Sequence, residues 1–132
     1  MTKQELQSYY WVRRNIQKLE DRLLELETQA TKQTTTLKND ADSRHGGVAH
    51  DKVADMAIAI VELKTQIAEQ IGLAWSEHYR IEKAIEKLPE REKYLIRARY
   101  IDSRSWEQIA VDMGYSWRQV HYIHADALKL LS

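Results

Sequence analysis

Three polar side chains near the C-terminus have the types and the spacing to contact nucleic-acid bases. On a helix that turns 100° per residue, Arg118, His121 and Tyr122 lie on one side, together with Lys129 and with Trp117 at the edge. An arginine donates two hydrogen bonds to a guanine edge, and tyrosine and histidine reach bases or phosphates. The pattern therefore predicts a helix whose outer face lies in the major groove of double-stranded DNA.

The opposite side of the same helix is aliphatic, which predicts that it packs into a core. Val120, Ile123, Ala127 and Leu131 repeat at helical spacing on that side. The DNA-binding hypothesis depends on this separation of faces. It would fail if Arg118 and its neighbours were buried inside the protein.

Two short sequences predict the starts of this helix and of the one before it. Ser105–Gln108 and Ser116–Gln119 are both capping boxes, in which serine and glutamine side chains bind each other's backbone amides. Gly114 follows the first of these helices and favours the left-handed conformation of a helix end. A pair of helices joined by so short a turn predicts a helix-turn-helix.

The helix-turn-helix suggests further DNA contacts outside its outer face. Free backbone amides after the two cap serines can bind phosphate oxygens, and two arginines upstream are candidate phosphate contacts. The alternative is a solvent-exposed side chain at each position, or a three-helix packing unit without nucleic acid; for His124, at the core edge, a structural role is favoured. The predicted contacts are Arg99, Arg104, Ser105, Trp106, Ser116, Trp117, Arg118, His121, Tyr122 and Lys129.

Two long helices are predicted before this module. Apolar residues spaced alternately by three and four predict a first helix at about 2–30, and residues 31–47, rich in Thr, Asn, Asp and Gly, predict a loop that reverses the chain. The second helix extends to Leu88, with a kink expected at Gly72. The apolar positions of the first helix are Tyr9, Val12, Ile16, Leu19, Leu23, Leu26 and Ala30.

The second helix has an apolar stripe too wide for one neighbour. We expect it to pack against the first helix, folded back antiparallel, and against a second subunit, which predicts a homo-oligomer through residues 2–88. An intramolecular hairpin alone is the alternative. Pro89 suits the first turn of a new helix and marks a predicted boundary between domains 1–88 and 89–132. The predicted fold is all-α: a long antiparallel helical hairpin followed by a three-helix helix-turn-helix module.

Composition narrows the class of protein. The 132 residues hold 20 Lys and Arg and 20 Asp and Glu, so the formal net charge is zero, which excludes a histone-like basic tail. The N-terminus does not resemble a signal peptide, no apolar run is long enough for a membrane span, and Cys is absent, so a cytoplasmic protein is expected. Enzyme motifs are missing, and His121-x-x-His124 lacks a carboxylate partner, so no catalysis, cofactor or metal is predicted.

The C-terminal segment resembles region 4 of the sigma-70 family. It reads LPEREKYLIRARYIDSRSWEQIAVDMGYSWRQVHYIHADALKLL. The resemblance implies a module of sigma region 4 type that binds promoter DNA, with RNA polymerase as a second partner. The end of the segment is less basic than in that family, and no promoter-melting region 2 is present, so action as a sigma factor on its own is not expected. The matching positions are Leu88–Glu92, Arg97, Arg99, Tyr100, Ser105–Ala110, Gly114–Ser116 and Val120–Leu128.

The whole chain resembles a narrower group, the RinA/ArpU-like late transcription activators of phages and prophages. Gly46-Gly47, followed by Asp51–Asp55 and the apolar positions up to Leu63, carries this resemblance. It implies a phage-encoded activator of transcription. Two alternatives remain: a DNA-packaging subunit similar to small terminases, which also join a helix-turn-helix to an oligomerising helical part, and a coiled-coil interaction protein whose C-terminal module is a structural cap.

Overall fold

The computed structural model describes residues 1–39 and 46–132, and every element in this part of the chain is helical. The predicted all-α fold is confirmed. None of the described helices is both long and apolar enough to cross a membrane. The elements are α1 (Lys3–Asn39), α2 (Gly46–Ile85), α3 (Glu90–Ile96) with a π-helical turn (Arg97–Ile101), α4 (Trp106–Met113) and α5 (Trp117–Leu131).

The first long helix extends further than its sequence predicted, and the second begins slightly earlier but ends at Ile85 instead of the predicted Leu88. The loop expected at 31–47 is wrong at both ends, because α1 continues to Asn39 and α2 begins at Gly46; residues 40–45 lie outside the described part. The hydroxyl of Thr28 donates to the carbonyl of Leu24 at 2.7 Å, and Thr31 does the same one turn later. In this way a threonine hydroxyl is satisfied inside a helix by the carbonyl one turn before it.

The helix α2 also continues through Gly72, where the sequence suggested a kink. A glycine there costs about 1 kcal/mol relative to alanine, which a helix anchored by packing on both sides can tolerate.

The chain forms two compact units. Unit 1 contains Met1–Arg14 and Gly72–Ser132, and unit 2 contains Asn15–Ile71. The first turns of α1 and the last turns of α2 therefore belong with the three C-terminal helices. The predicted division at Pro89 would instead separate residues 1–14 and 72–88 from the C-terminal helices. That division stays a prediction.

Unit 1 has a continuous apolar core. At the edge of this unit, the Nη1 of Arg13 donates to the carbonyl oxygen of Ile101 at 2.7 Å. This hydrogen bond links the start of α1 to the end of the π-helical turn. Burial of large aliphatic side chains from all of its helices supplies the main stabilising free energy. The side chains less than 2% exposed are Leu6, Ile81, Ile85, Leu95, Ile96, Ile109 and Val120.

Unit 2 is an antiparallel pair of helical segments. Glu27 of α1 lies 3.6 Å from the Nζ of Lys64 of α2, and the later residue Gln33 shares a surface depression with the earlier residue Lys52. This order along the two helices makes them antiparallel, as predicted. The buried apolar side chains are Ile16, Leu63 and Ile67, each 7–9% exposed.

Candidate nucleic-acid interface

The two helices of the helix-turn-helix begin with identical caps. The hydroxyls of Ser105 and Ser116 accept from the backbone amides of Gln108 and Gln119 at 3.2 and 3.1 Å. Each glutamine Oε1 accepts in return from the backbone amide of its serine at 3.0 Å. Gly114 ends α4 in the left-handed conformation, with φ of 71°. The caps and the turn predicted from the sequence are confirmed.

The helix α5 separates its polar and aliphatic faces. Arg118, Tyr122 and Lys129 are exposed, and the exposed fractions of Tyr122 and Trp117 are 58% and 55%. The Nε of Arg118 donates to the Tyr122 hydroxyl at 3.2 Å, which orients the guanidinium along the outer face. The residues of the opposite face are all buried: Val120, Ile123, Ala127 and Leu131. The exposed face that the DNA-binding hypothesis requires is therefore present.

His121 lies in an aromatic cluster instead of projecting freely from α5. Its ring centroid is 4.4 Å from that of Trp106 and 3.9 Å from that of Trp117, and the side chain is half-buried. The buried Nε2 has no hydrogen-bond partner in the part of the chain that the structure describes. The imidazole thus links α4 to the start of α5. A direct contact between His121 and DNA stays a prediction, as do the contacts at the other predicted positions.

The two predicted phosphate-binding arginines have protein partners as well. The guanidinium of Arg99 lies 4.5 Å from the Trp106 ring centroid, and its Nη1 donates to the carbonyl oxygen of Arg104 at 3.0 Å. Arg104 itself forms an ion pair with Asp112, at 3.0 Å between Nη1 and Oδ2. Arg99 therefore takes part in no ion pair within the described ranges, whereas the charge of Arg104 is partly neutralised. No pattern in the sequence indicated this difference between Arg99 and Arg104.

His124 has the structural role favoured from the sequence. It is buried, and its Nε2 lies 2.6 Å from the Tyr100 hydroxyl. Burial raises the pKa of Tyr100 to about 12 and, as the largest cause, lowers the pKa of His124 to about 4. Both groups are therefore neutral near pH 7, and the tyrosine hydroxyl can donate to Nε2. In the described ranges no three potential metal ligands converge, and both histidines of His121-x-x-His124 contact aromatic rings.

Residues 84–132 match the family Sigma-70, region 4. We refer to this segment below as the region 4 module. The chain is 32% identical over 69 residues to the RNA polymerase sigma-F factor of Priestia megaterium, covering 52% of this chain and 27% of that protein. It is 34% identical over 66 residues to the RNA polymerase sigma-G factor of Clostridium acetobutylicum, covering 48% and 26%. The chain thus spans about a quarter of the length of these relatives, and no solved structure matches it.

Proposed function

We propose that this chain binds double-stranded DNA through the region 4 module and regulates transcription. The observation that carries the proposal is the exposed face of α5, whose opposite face is locked in the core. A helix presented in this way fits the major groove, where its first turns lie closest to the bases. Arg118 is the residue best suited to a guanine, since its guanidinium is exposed and already oriented by Tyr122.

The start of α4 would hold the DNA backbone. In helix-turn-helix proteins the first helix crosses the sugar-phosphate chain, and phosphate contacts set the orientation of the recognition helix. Ser105 and Trp106 begin α4, and Arg99, which has no carboxylate partner among the described residues, lies against the Trp106 ring. These residues support a phosphate contact beside the base contacts of α5.

The relatives support a role at promoters. Both are named RNA polymerase sigma factors, although this chain matches only about a quarter of each. We propose that the module acts on promoter DNA and that RNA polymerase is a second partner. Residues 46–63 resemble phage RinA/ArpU-like activators. This resemblance supports the proposals that the chain activates transcription and that it is of phage or prophage origin.

Self-association through residues 2–88 would strengthen binding. Residues 89–132 hold seven basic and six acidic residues, so one module can neutralise few phosphates. Unit 2 exposes Leu24, Ile58 and Val61 by 65%, 57% and 63%. Covering these side chains with a second copy would bring two modules together and raise the effective concentration of the second.

Selection of bound sites from random duplex DNA, followed by gel-shift titration at fixed low salt, tests the DNA-binding proposal. The Arg118→Ala/Tyr122→Ala variant should lose roughly 10- to 100-fold in affinity for the selected site, since a bidentate base contact contributes about 1–3 kcal/mol of discrimination. A Lys18→Gln/Arg22→Gln variant, altered on the exposed surface of α1 in unit 2, is the control. Unchanged affinity in the first variant would contradict the assignment of α5.

Sedimentation at micromolar concentration tests self-association. The wild-type chain should sediment as a dimer or larger species, and Ile58→Glu/Val61→Glu should shift it to the monomer without loss of helix content. A monodisperse wild-type monomer would contradict the oligomer. Ring-shaped assemblies that select a packaging site instead of a promoter would favour the small terminase-like alternative.

A further inference from the structure

Unit 1 contains a cleft between the first turns of α1 and the segment that leads into α4. Its volume is about 450 Å3. Lys3, Tyr10 and Arg14 line one side, and Arg99, Ser103 and Trp106 line the other. None of the described residues that line it carries a carboxylate.

The basic side chains of unit 1 differ in whether they form ion pairs. Several on the later turns of α2, on α3 and at the start of the π-helical turn do so, whereas the three cations of the cleft take part in none of the ion pairs in the described chain. The paired residues are Arg80, Lys83, Arg91, Lys93 and Arg97. The cleft therefore gathers three positive charges that no described carboxylate pairs with, and such a surface attracts anions.

Aromatic rings, not carboxylates, position two of these cations. The Nε of Arg14 donates to the Tyr10 hydroxyl at 3.1 Å, and its guanidinium lies 5.1 Å from that ring centroid. Arg99 lies over Trp106 in the same way. Such contacts hold a guanidinium in place while leaving most of its donors for a ligand.

The cleft is continuous with the proposed DNA interface. Trp106 belongs to both, because its ring lies 4.4 Å from that of His121 of α5 and also 4.5 Å from the Arg99 guanidinium that lines the cleft. A duplex whose major groove holds α5 must pass its sugar-phosphate chain along the start of α4. A duplex bound in this way would carry its phosphates past the cleft.

We propose that the start of α1, through Lys3 and Arg14, forms with Arg99 a second contact that binds the phosphodiester backbone of the same duplex. The inference rests on the proposed function. Nothing in the region 4 match covers α1, so this surface is an addition to the module by its own N-terminal helix. It would raise affinity without adding sequence preference, since phosphates carry no base information.

The salt dependence of DNA binding distinguishes this contact from the base contacts. We would titrate the full chain against the selected site and a scrambled duplex by fluorescence anisotropy over a series of salt concentrations. Lys3→Gln/Arg14→Gln should weaken binding equally to both duplexes. It should also reduce the slope of log affinity against log salt by about 1.8, because each phosphate contact contributes about 0.9.

Two matched variants make the result decisive. Lys18→Gln/Arg22→Gln removes two exposed cations from the same helix but in unit 2, and it should leave affinity and slope unchanged. Arg118→Ala should instead reduce the preference for the selected site. Thermal unfolding of each variant checks that the fold is retained.

An unchanged slope in Lys3→Gln/Arg14→Gln, with Arg118→Ala still losing preference, would overturn the second contact and leave the proposed function standing. A loss confined to the selected site would overturn it as well, because a backbone contact cannot discriminate sequence. If the wild-type chain bound neither duplex, the proposed function itself would fail.

Discussion

The two units bury their apolar side chains to very different degrees. Unit 1 encloses seven large aliphatic side chains almost completely. Unit 2 leaves its best-buried residues, Ile16, Leu63 and Ile67, partly accessible and exposes Leu24 and Ile58 by more than half. Two helices can cover only one stripe of each other, whereas five helical segments can surround a core. Unit 1 therefore has an enclosed core, whereas unit 2 keeps large apolar side chains on its surface.

Helix length shows the same contrast. The helices α3 and α4 have seven and eight residues, too short to persist alone, and they depend on the core and, in α4, on the capping box. The helical segments of unit 2 are instead parts of the long helices α1 and α2, which continue into unit 1. Short, fixed helices suit a surface that must hold several side chains in register.

The largest expected effect is from truncating the core of unit 1. Leu95→Ala removes a fully buried side chain and should cost about 2–5 kcal/mol of unfolding free energy. Leu63→Ala in unit 2 should cost less, because Leu63 is 8% exposed and a pair of helices can close over the lost volume more easily than a core enclosed on all sides. Urea unfolding followed by circular dichroism measures both. Equal losses would break the comparison between the units.

Acid should weaken unit 1 through His124. The folded-state pKa of about 4 lies below the ordinary value of 6.5, so the neutral form is favoured by folding. Its stability contribution is fully present above pH 6.5 and is lost as pH falls through 4, by about 3 kcal/mol in all.

The His124→Gln variant isolates this effect, since glutamine can still accept from Tyr100. Its unfolding free energy should vary less between pH 6.5 and 4.5 than that of the wild-type chain. Glu82 does not interfere in this window: the hydrogen bond from Arg97 lowers the pKa of Glu82 below 4.5, so its stabilising contribution is lost only at lower pH. Identical pH profiles would show that His124 does not control the acid response.

One substitution should have opposite signs at two glycines. Gly114→Ala should cost about 1–2 kcal/mol, because φ of 71° is unfavourable for any residue with a Cβ. Gly72→Ala lies inside α2 and should stabilise the chain by about 1 kcal/mol. A new Cβ meets no neighbour within 4 Å at either position, so backbone conformation alone decides the sign. Thermal unfolding at neutral pH measures both.

The smallest effect is expected at the exposed ion pair of unit 2. Lys64→Met should change the unfolding free energy by less than about 1 kcal/mol, and the change should vanish at high salt. The bidentate pair of Arg97 with Glu82 in unit 1, at 3.0 and 2.7 Å, should resist salt better. Equal salt sensitivity would remove this difference between the units.

Local signals made much of the region 4 module predictable. The S-x-x-Q pattern at Ser105 and Ser116 specifies a cap by itself, and Gly114 specifies a turn. The helical period of α5 predicted which side chains are buried and which are exposed. Each of these features depends on residues within one or two turns of each other, and such features can be read from sequence.

Contacts between distant residues were not predictable in this way. Nothing in the sequence indicated that residues 1–14 pack with the C-terminal helices, or that His121 would lie between Trp106 and Trp117. The helical conformation of the threonine-rich segment after Ala30 was also missed. That segment has no apolar period, and only the helix that precedes it indicates its conformation. These features arise from tertiary packing and chain continuity.

The contact of His121 with two tryptophans has a practical consequence. An imidazole packed against indoles alters their light emission, so a partner that displaces either ring should change the intrinsic tryptophan fluorescence. Trp106 and Trp117 belong to different helices, and both flank the proposed binding face. The fluorescence of these two tryptophans can therefore report binding at this face without an attached dye.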